Sequence, residues 1–250
     1  MTSTAKGSYI RQPEEETGGK PERFHPTYFN ASPCMMDKAA LKKKTAKIRK
    51  TLRTLYPEVK TQLHHRNAFQ LLVATILSAQ CTDKQVNSVT EGLFSELKTP
   101  EDFAGAPLKK IEGLIHATGF FRNKAKNIKS CAAILQDRFD GRVPDTLVEL
   151  VKLPGVGRKT ANVVLGAAYN TPGIVVDTHV GRISQRLGLT ANGDPVKIEY
   201  DLMDIIPQKD WSDFSLRLIY FGREYCKARK PDCPNCPLDR FCPYPHKTKA

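Results

Sequence analysis

Four cysteines, Cys226, Cys233, Cys236 and Cys242, are spaced C-x6-C-x2-C-x5-C near the end of a 250-residue chain that holds seven cysteines in all. Soft sulfur donors this close in sequence can converge on one centre at little loop-closure cost, and they select zinc or an iron-sulfur cluster over magnesium or calcium. Structural zinc sites usually arrive as two close pairs. Here one C-x2-C is flanked by single cysteines, so the spacing leans toward a cluster and leaves zinc as its rival. It also departs from the C-x2-C-x2-C-x3-C run of bacterial ferredoxins, which argues against a plain electron-transfer module. A pair of disulfides is the remaining alternative and needs an oxidising compartment. The first residues show no apolar stretch followed by a small-residue cleavage site, and no apolar run reaches membrane-spanning length. The expectation is an intracellular, cytoplasmic protein with no membrane partner.

A second chemical centre lies in Leu153-Pro154-Gly155-Val156-Gly157-Arg158-Lys159-Thr160. Two glycines one residue apart permit a tight reversal and leave backbone N–H groups uncovered where the next helix begins, which makes an anion site. G-x-G alone would favour an ordinary helix-turn-helix with glycines for packing. Asp177 follows Lys159 by eighteen residues, after the apolar run Ile174-Val175-Val176. By itself Asp177 reads as the N-cap of a helix, and a lone lysine or aspartate is most often structural.

These groups need positioning, and the pattern of the chain supplies helices. Asn67 to Ala79 is apolar nearly all round, as in a helix buried on every side. Ala125, Ile128, Ala132, Leu135 and Phe139 recur at helical spacing, predicting a helix that buries one stripe and leaves its lysines outside. Thr99-Pro100 and Asp194-Pro195 place a side-chain acceptor at the N-cap and proline at the first helical position. Helical segments are expected over 144–152 and 158–169 on either side of the glycines. No stretch alternates as a half-buried strand does, so the fold class is all-α. The first 37 residues, with Gly18-Gly19 and Glu14-Glu15-Glu16, read as a disordered arm.

The formal charge is +13, with a pI near 9.4, and the surplus is clustered. Lys38 to Arg66 carries ten basic residues against the single acid Glu58, and Gly119 to Gln136 carries Arg122, Lys124, Lys126 and Lys129 with no acid. Each run alone is a solvated helix face; together with the hairpin they suit neutralisation of phosphates.

The hairpin is more specific than G-x-G. L-P-G-V-G-x-K-T-A at 153–161 resembles the helix-hairpin-helix of the endonuclease III family of DNA glycosylases, and Val175-Val176-Asp177-Thr178-His179 is similar to that superfamily's catalytic aspartate motif. The four-cysteine spacing and Leu77-Ser78-Ala79-Gln80-Cys81-Thr82-Asp83 extend the resemblance to about 38–244. It implies a six-helix barrel domain at 61–171, and a cluster domain joining 38–60 to 172–250 around a 4Fe-4S group on Cys226, Cys233, Cys236 and Cys242. Damaged double-stranded DNA would lie across the cleft between them, bound by a monomer.

The implied activity is removal of oxidised pyrimidines, followed by cleavage of the abasic site by β-elimination. Lys159 would be the nucleophile, and Asp177 would stabilise the cationic sugar. Gly155, Val156 and Gly157 would offer backbone donors to a phosphate, with Arg158 adding positive potential. Gln80 would fill the place of the departed base, and Phe120 would wedge from the other side. Lys230, in the loop after Cys226, would meet phosphates. Phe120-Phe121 stands where the family often carries Leu-Tyr; Phe121 divides evenly between wedge and packing, and His179 is read as satisfying a helix start. An adenine-mismatch glycosylase is the near rival, but such enzymes generally lack a lysine at the position of Lys159. A noncatalytic DNA-binding protein is the rival of another class.

Overall fold

The computed structural model describes residues 37–249, and among them every regular element is helical. The arm expected at the N-terminus lies outside the described residues, apart from Asp37. That residue begins the described chain as a cap: its carboxylate accepts from the Ala39 N–H at 3.2 Å and opens α1, Lys38–Leu55.

Local chemistry sets the remaining starts. Asn67 caps α2, Ala68–Leu77, and Thr82 caps α3, Asp83–Glu96. Thr99 and Asp102 form a reciprocal capping box on α4, Pro100–Gly105. After α5, Leu108–Ile115, and α6, Phe121–Phe139, the short α7, Leu147–Leu150, leads through the glycine turn into α8, Arg158–Tyr169. Asp177 caps α9, Thr178–Arg186, and Asp194 with Pro195 starts α10, Pro195–Ile205; α11, Trp211–Glu224, comes last. The helix expected over 144–152 is much shorter than its span. Thr146 accepts the Glu149 N–H and fixes the start late, and the chain is already turning at Val151.

Two apolar cores organise these helices. Residues from α2 through α8 share the first, with Leu71, Leu72, Leu77, Phe103, Ile111 and Ile128 among its deepest members. All of Phe69–Leu77 is buried, so α2 runs through the middle of this core as its apolar pattern requires. The second core joins Ile48 and Leu52 of α1 to Ile183, Leu202, Phe214 and Leu218, so the start of the described chain packs on its end. Polar ties reinforce the return. Arg53 pairs with Asp210 at 2.8 Å, and Arg217 donates to the carbonyls of Tyr56 and Pro57 at 2.9 and 3.1 Å.

The basic runs are less free than their sequence suggests. On α6 the expectation of lysines left outside fails at two of three positions. Lys124 is buried, and Lys129 is half-buried with its ammonium on the carbonyls of Ala104 and Ala106. Lys44, Arg49 and Arg53 of α1 are likewise engaged, by Leu187 and Asp210.

Helices α9 and α11 approach closely because Gly222 has no side chain. A Cβ there would stand 2.8 Å from Ile183 Cδ1 and 2.9 Å from His179 Cδ2. Gly222→Ala is expected to lower stability by about 1–3 kcal/mol through overpacking. Urea denaturation measures it, and an unchanged midpoint would show that the two helices can separate without penalty.

Candidate active site

The glycine turn holds its shape by two devices. Gly155 has φ +77, and a Cβ on it would lie 2.9 Å from Asn127 Cβ on α6, so both conformation and space demand glycine. The Val156 N–H donates to the Leu153 carbonyl at 3.1 Å, and its side chain is buried in the first core. Val156 therefore anchors the turn, and its N–H is not the free donor that the sequence suggested. Gly157 begins α8 with extended backbone and no side-chain cap, leaving the first-turn amides facing outward.

Lys159 is exposed in that first turn. Its neighbour Arg158 is not available as expected. Its Nε and Nη2 grip the Glu199 carboxylate at 2.6 and 3.0 Å, and its guanidinium lies over the Tyr200 ring. Glu199, itself buried, also accepts from Asn162 Nδ2 at 3.1 Å. Arg158 thus ties the start of α8 to α10, and its charge is neutralised before any phosphate arrives.

Asp177 faces this turn from the start of α9. Its Oδ1 accepts the N–H groups of His179 and Val180, both at 2.8 Å, and its Oδ2 lies 3.1 Å from His179 Nδ1. Burial pushes the Asp177 carboxyl upward. The hydrogen bonds from the His179 side chain and the Val180 N–H, with the nearby Lys159 charge, outweigh that push and hold it below the ordinary aspartate value. The Lys159 charge is felt at Asp177, so the two residues share one electrostatic field. His179 does more than start a helix, since its ring is bonded to the carboxylate.

Helix α9 carries Asp177 at one end and reaches the cysteine loop at the other. Arg182 Nη2 donates to the Cys226 carbonyl at 2.9 Å, and Arg186 donates to the carbonyls of Lys227 and Ala228 at 2.9 and 3.0 Å. Sequence reading missed both arginines. The signal was present as two basic residues four apart on a helix opened by Asp177.

The six cysteines among the described residues are all unpaired. Cys226, Cys233, Cys236 and Cys242 line one cavity. Burial, with the mutual repulsion of neighbouring thiolates, pushes Cys236 up to about 11, and burial raises Cys242. Crowded sulfurs of this kind favour a cationic centre that relieves the repulsion. Among the described residues no three His, Cys, Asp or Glu side chains are gathered as a ligand set for a single metal ion. The four thiols around this cavity are a donor set that fits a soft metal centre.

Two further expected residues project outward. Gln80 is exposed at φ +51, and Phe120 is 66% exposed at φ +48, both in the left-handed region that side chains seldom adopt. Phe121 turns inward instead, 4.5 Å from the His116 ring, which assigns it to packing. Lys230 is exposed at φ +49 in the cysteine loop, with Lys227 and Arg229 also exposed. No described helix is long and apolar enough to cross a membrane.

The chain as a whole has close counterparts among known proteins. Residues 73–208 match the family described as HhH-GPD superfamily base excision DNA repair protein, and the chain belongs to that superfamily. An endonuclease III from Synechocystis sp. is 52% identical over 206 residues, 82% of this chain and 94% of the relative. A solved non-covalent endonuclease III–DNA complex aligns with TM-score 0.79 and 46% identity, covering 81% of this chain and 95% of that one. A trapped endonuclease III–DNA covalent intermediate, an estranged-adenine complex, aligns with the same score and identity over 81% and 96%. Within the superfamily the chain is therefore a member of the endonuclease III family of DNA glycosylases and abasic-site lyases.

The Asp177 cap has a pH signature. Because its folded pKa is depressed, its contribution is present above the ordinary aspartate value of ~4 and is lost as pH falls through the lower folded value. Asp177→Ala should cost about 1 kcal/mol near neutrality, and the gap from the parent should close in acid. Urea titrations at a series of pH values test this; a gap independent of pH would mean that the carboxylate charge contributes nothing.

Proposed function

We propose that this protein excises oxidised pyrimidines from damaged duplex DNA and then cleaves the abasic strand, with Lys159 as nucleophile and Asp177 as its electrostatic partner. One observation carries the reading: an exposed lysine in the open first turn of α8 lies within the field of a carboxylate held charged at the start of α9. The trapped covalent intermediate of a relative with DNA supports a reaction that passes through a bond between enzyme and DNA.

Lys159 first gives its ammonium proton to water, and the neutral amine then attacks C1′ of the damaged nucleotide. The bond from C1′ to the base breaks, and the base leaves with the electron pair and takes up a proton. Positive charge that develops on the sugar falls opposite Asp177, which two N–H groups and a histidine ring keep ionised. Opening of the sugar ring gives an iminium between Lys159 and C1′. Loss of a C2′ proton then expels the 3′ phosphate, and water releases the amine.

Binding is divided among the remaining groups. The amides of Gly155 and Gly157 would hold a phosphate beside the lesion, with Val156 fixing the turn from within. Gln80 and Phe120 would enter the duplex where the nucleotide leaves it, and Lys230 would contact the backbone from the cysteine loop. The two cores support the division into a barrel at 61–171 and a second domain from 38–60 with 172–250. In that second domain Cys226, Cys233, Cys236 and Cys242 would hold a 4Fe-4S cluster, which supplies cross-linking of a loop that has little apolar core of its own.

Borohydride, which reduces an iminium, tests the chemistry directly. With duplexes bearing thymine glycol or an abasic site, a covalent adduct should form, and it should vanish in Lys159→Gln while binding persists. An adduct on the abasic duplex alone would keep the lyase and reject the pyrimidine assignment; none on either duplex would point to a water-using glycosylase or a binder.

The cofactor has a separate measurement. Protein purified without oxygen should contain iron and inorganic sulfide at about four each per chain. Stoichiometric zinc in their place would overturn the assignment.

A further inference from the structure

Lys124 is 5% exposed, an unusual place for an ammonium. Its Nζ donates to the Leu77 carbonyl at 2.8 Å and to the Thr118 carbonyl at 2.9 Å. Both acceptors close helices. Leu77 is the last residue of α2, and Thr118 is the last residue of the short 3-10 turn His116–Thr118. Carbonyls at helix ends lack intrahelical partners and gather partial negative charge, so a buried cation is held there without a carboxylate. Desolvation lowers the affinity of Lys124 for its proton, which argues that the site serves geometry at a cost to the charge.

The residues just beyond the two carbonyls give the arrangement its meaning. Three positions after Leu77 is Gln80, and two after Thr118 is Phe120, both exposed and both at positive φ. The backbone N–H of Lys124 also donates to the Phe120 carbonyl at 3.2 Å. One residue thus grips the roots of both loops and the main chain of the wedge itself. The link joins positions 47 residues apart on separate helices.

We propose that Lys124 is a positioning residue that fixes Gln80 and Phe120 at the separation at which both enter the duplex together, so that a damaged pair is opened from two sides in one event. The inference rests on the excision reading above and adds to it the element that couples the two probes. Without the ammonium, each loop would sample its own orientations, and one probe entering would no longer bring the other into register.

The test separates insertion from chemistry. Lys124→Met keeps a long unbranched stem and removes the donors. Parent and variant are compared on a duplex with a tetrahydrofuran abasic analogue opposite 2-aminopurine, whose fluorescence rises on unstacking. They are also compared in single-turnover excision from a thymine glycol duplex, and in cleavage of a single-stranded oligonucleotide with a preformed abasic site, which needs no insertion. The variant should lose most of the fluorescence rise and excise from duplex more than about tenfold more slowly, while cleaving the single strand within about twofold of the parent. Lys124→Arg, which restores donors, should recover part of the duplex rate.

Equal slowing on duplex and single strand would reduce Lys124 to a structural residue and overturn the proposal. So would duplex excision and fluorescence at parental levels. Should the methionine variant lose its helical circular dichroism, the same measurements on Lys124→Leu, which also lacks donors and has a shorter stem, decide in the same way. A parent protein that formed no borohydride adduct would sink the excision reading instead, and the fluorescence arm would still report on two-sided insertion.

Discussion

A carboxylate that must stay charged while half-buried is the constraint around which the rest of this molecule is arranged. Asp177 meets it by committing both oxygens to the start of α9: two amides on one and the His179 ring beside the other. A helix N-terminus is the readiest source of such donors, because its first amides have no other partners. Everything that aims α9 therefore aims the carboxylate. Gly222 lets α11 pack close behind it, and the second core fixes its apolar side through Val180 and Ile183.

The lysine that faces Asp177 belongs to the other core, so the relation between them depends on contacts that cross from one to the other. Arg158 and Asn162 on α8 both reach Glu199 on α10. A buried ion pair of this kind adds little net stability compared with apolar packing, but it admits one geometry and rejects neighbouring ones. That is the property the proposed reaction would require of a lysine and a carboxylate carried by separate parts of a chain.

Much of this was legible from residues alone where the signal is local. The all-round apolar run of α2, the Thr99-Pro100 and Asp194-Pro195 starts, the Asp177 cap and the glycine turn each announce themselves within a few positions. The signals that failed were charges. Lys124, Arg158 and Arg53 look like free cations in sequence, yet their partners lie 47, 41 and 157 residues away. Sequence shows that a charge exists and conceals what meets it. The consequence for reading a basic protein is specific: the net charge overstates the surface available to phosphate, and the positions it overstates are those that lock helices to one another.

The left-handed backbone at Gln80 and Phe120 has a bearing on how the protein would travel along DNA. A backbone in a sparsely populated conformation, rooted in a buried helix on one side and a short turn on the other, has given up much of its freedom during folding. No further ordering is then needed at each base pair that is sampled. Undamaged pairs resist because their stacking is intact, and the ones that yield are those already weakened. If Gln80 and Phe120 enter the duplex as proposed, selection among thousands of neighbours would fall to the mechanical softness of the DNA.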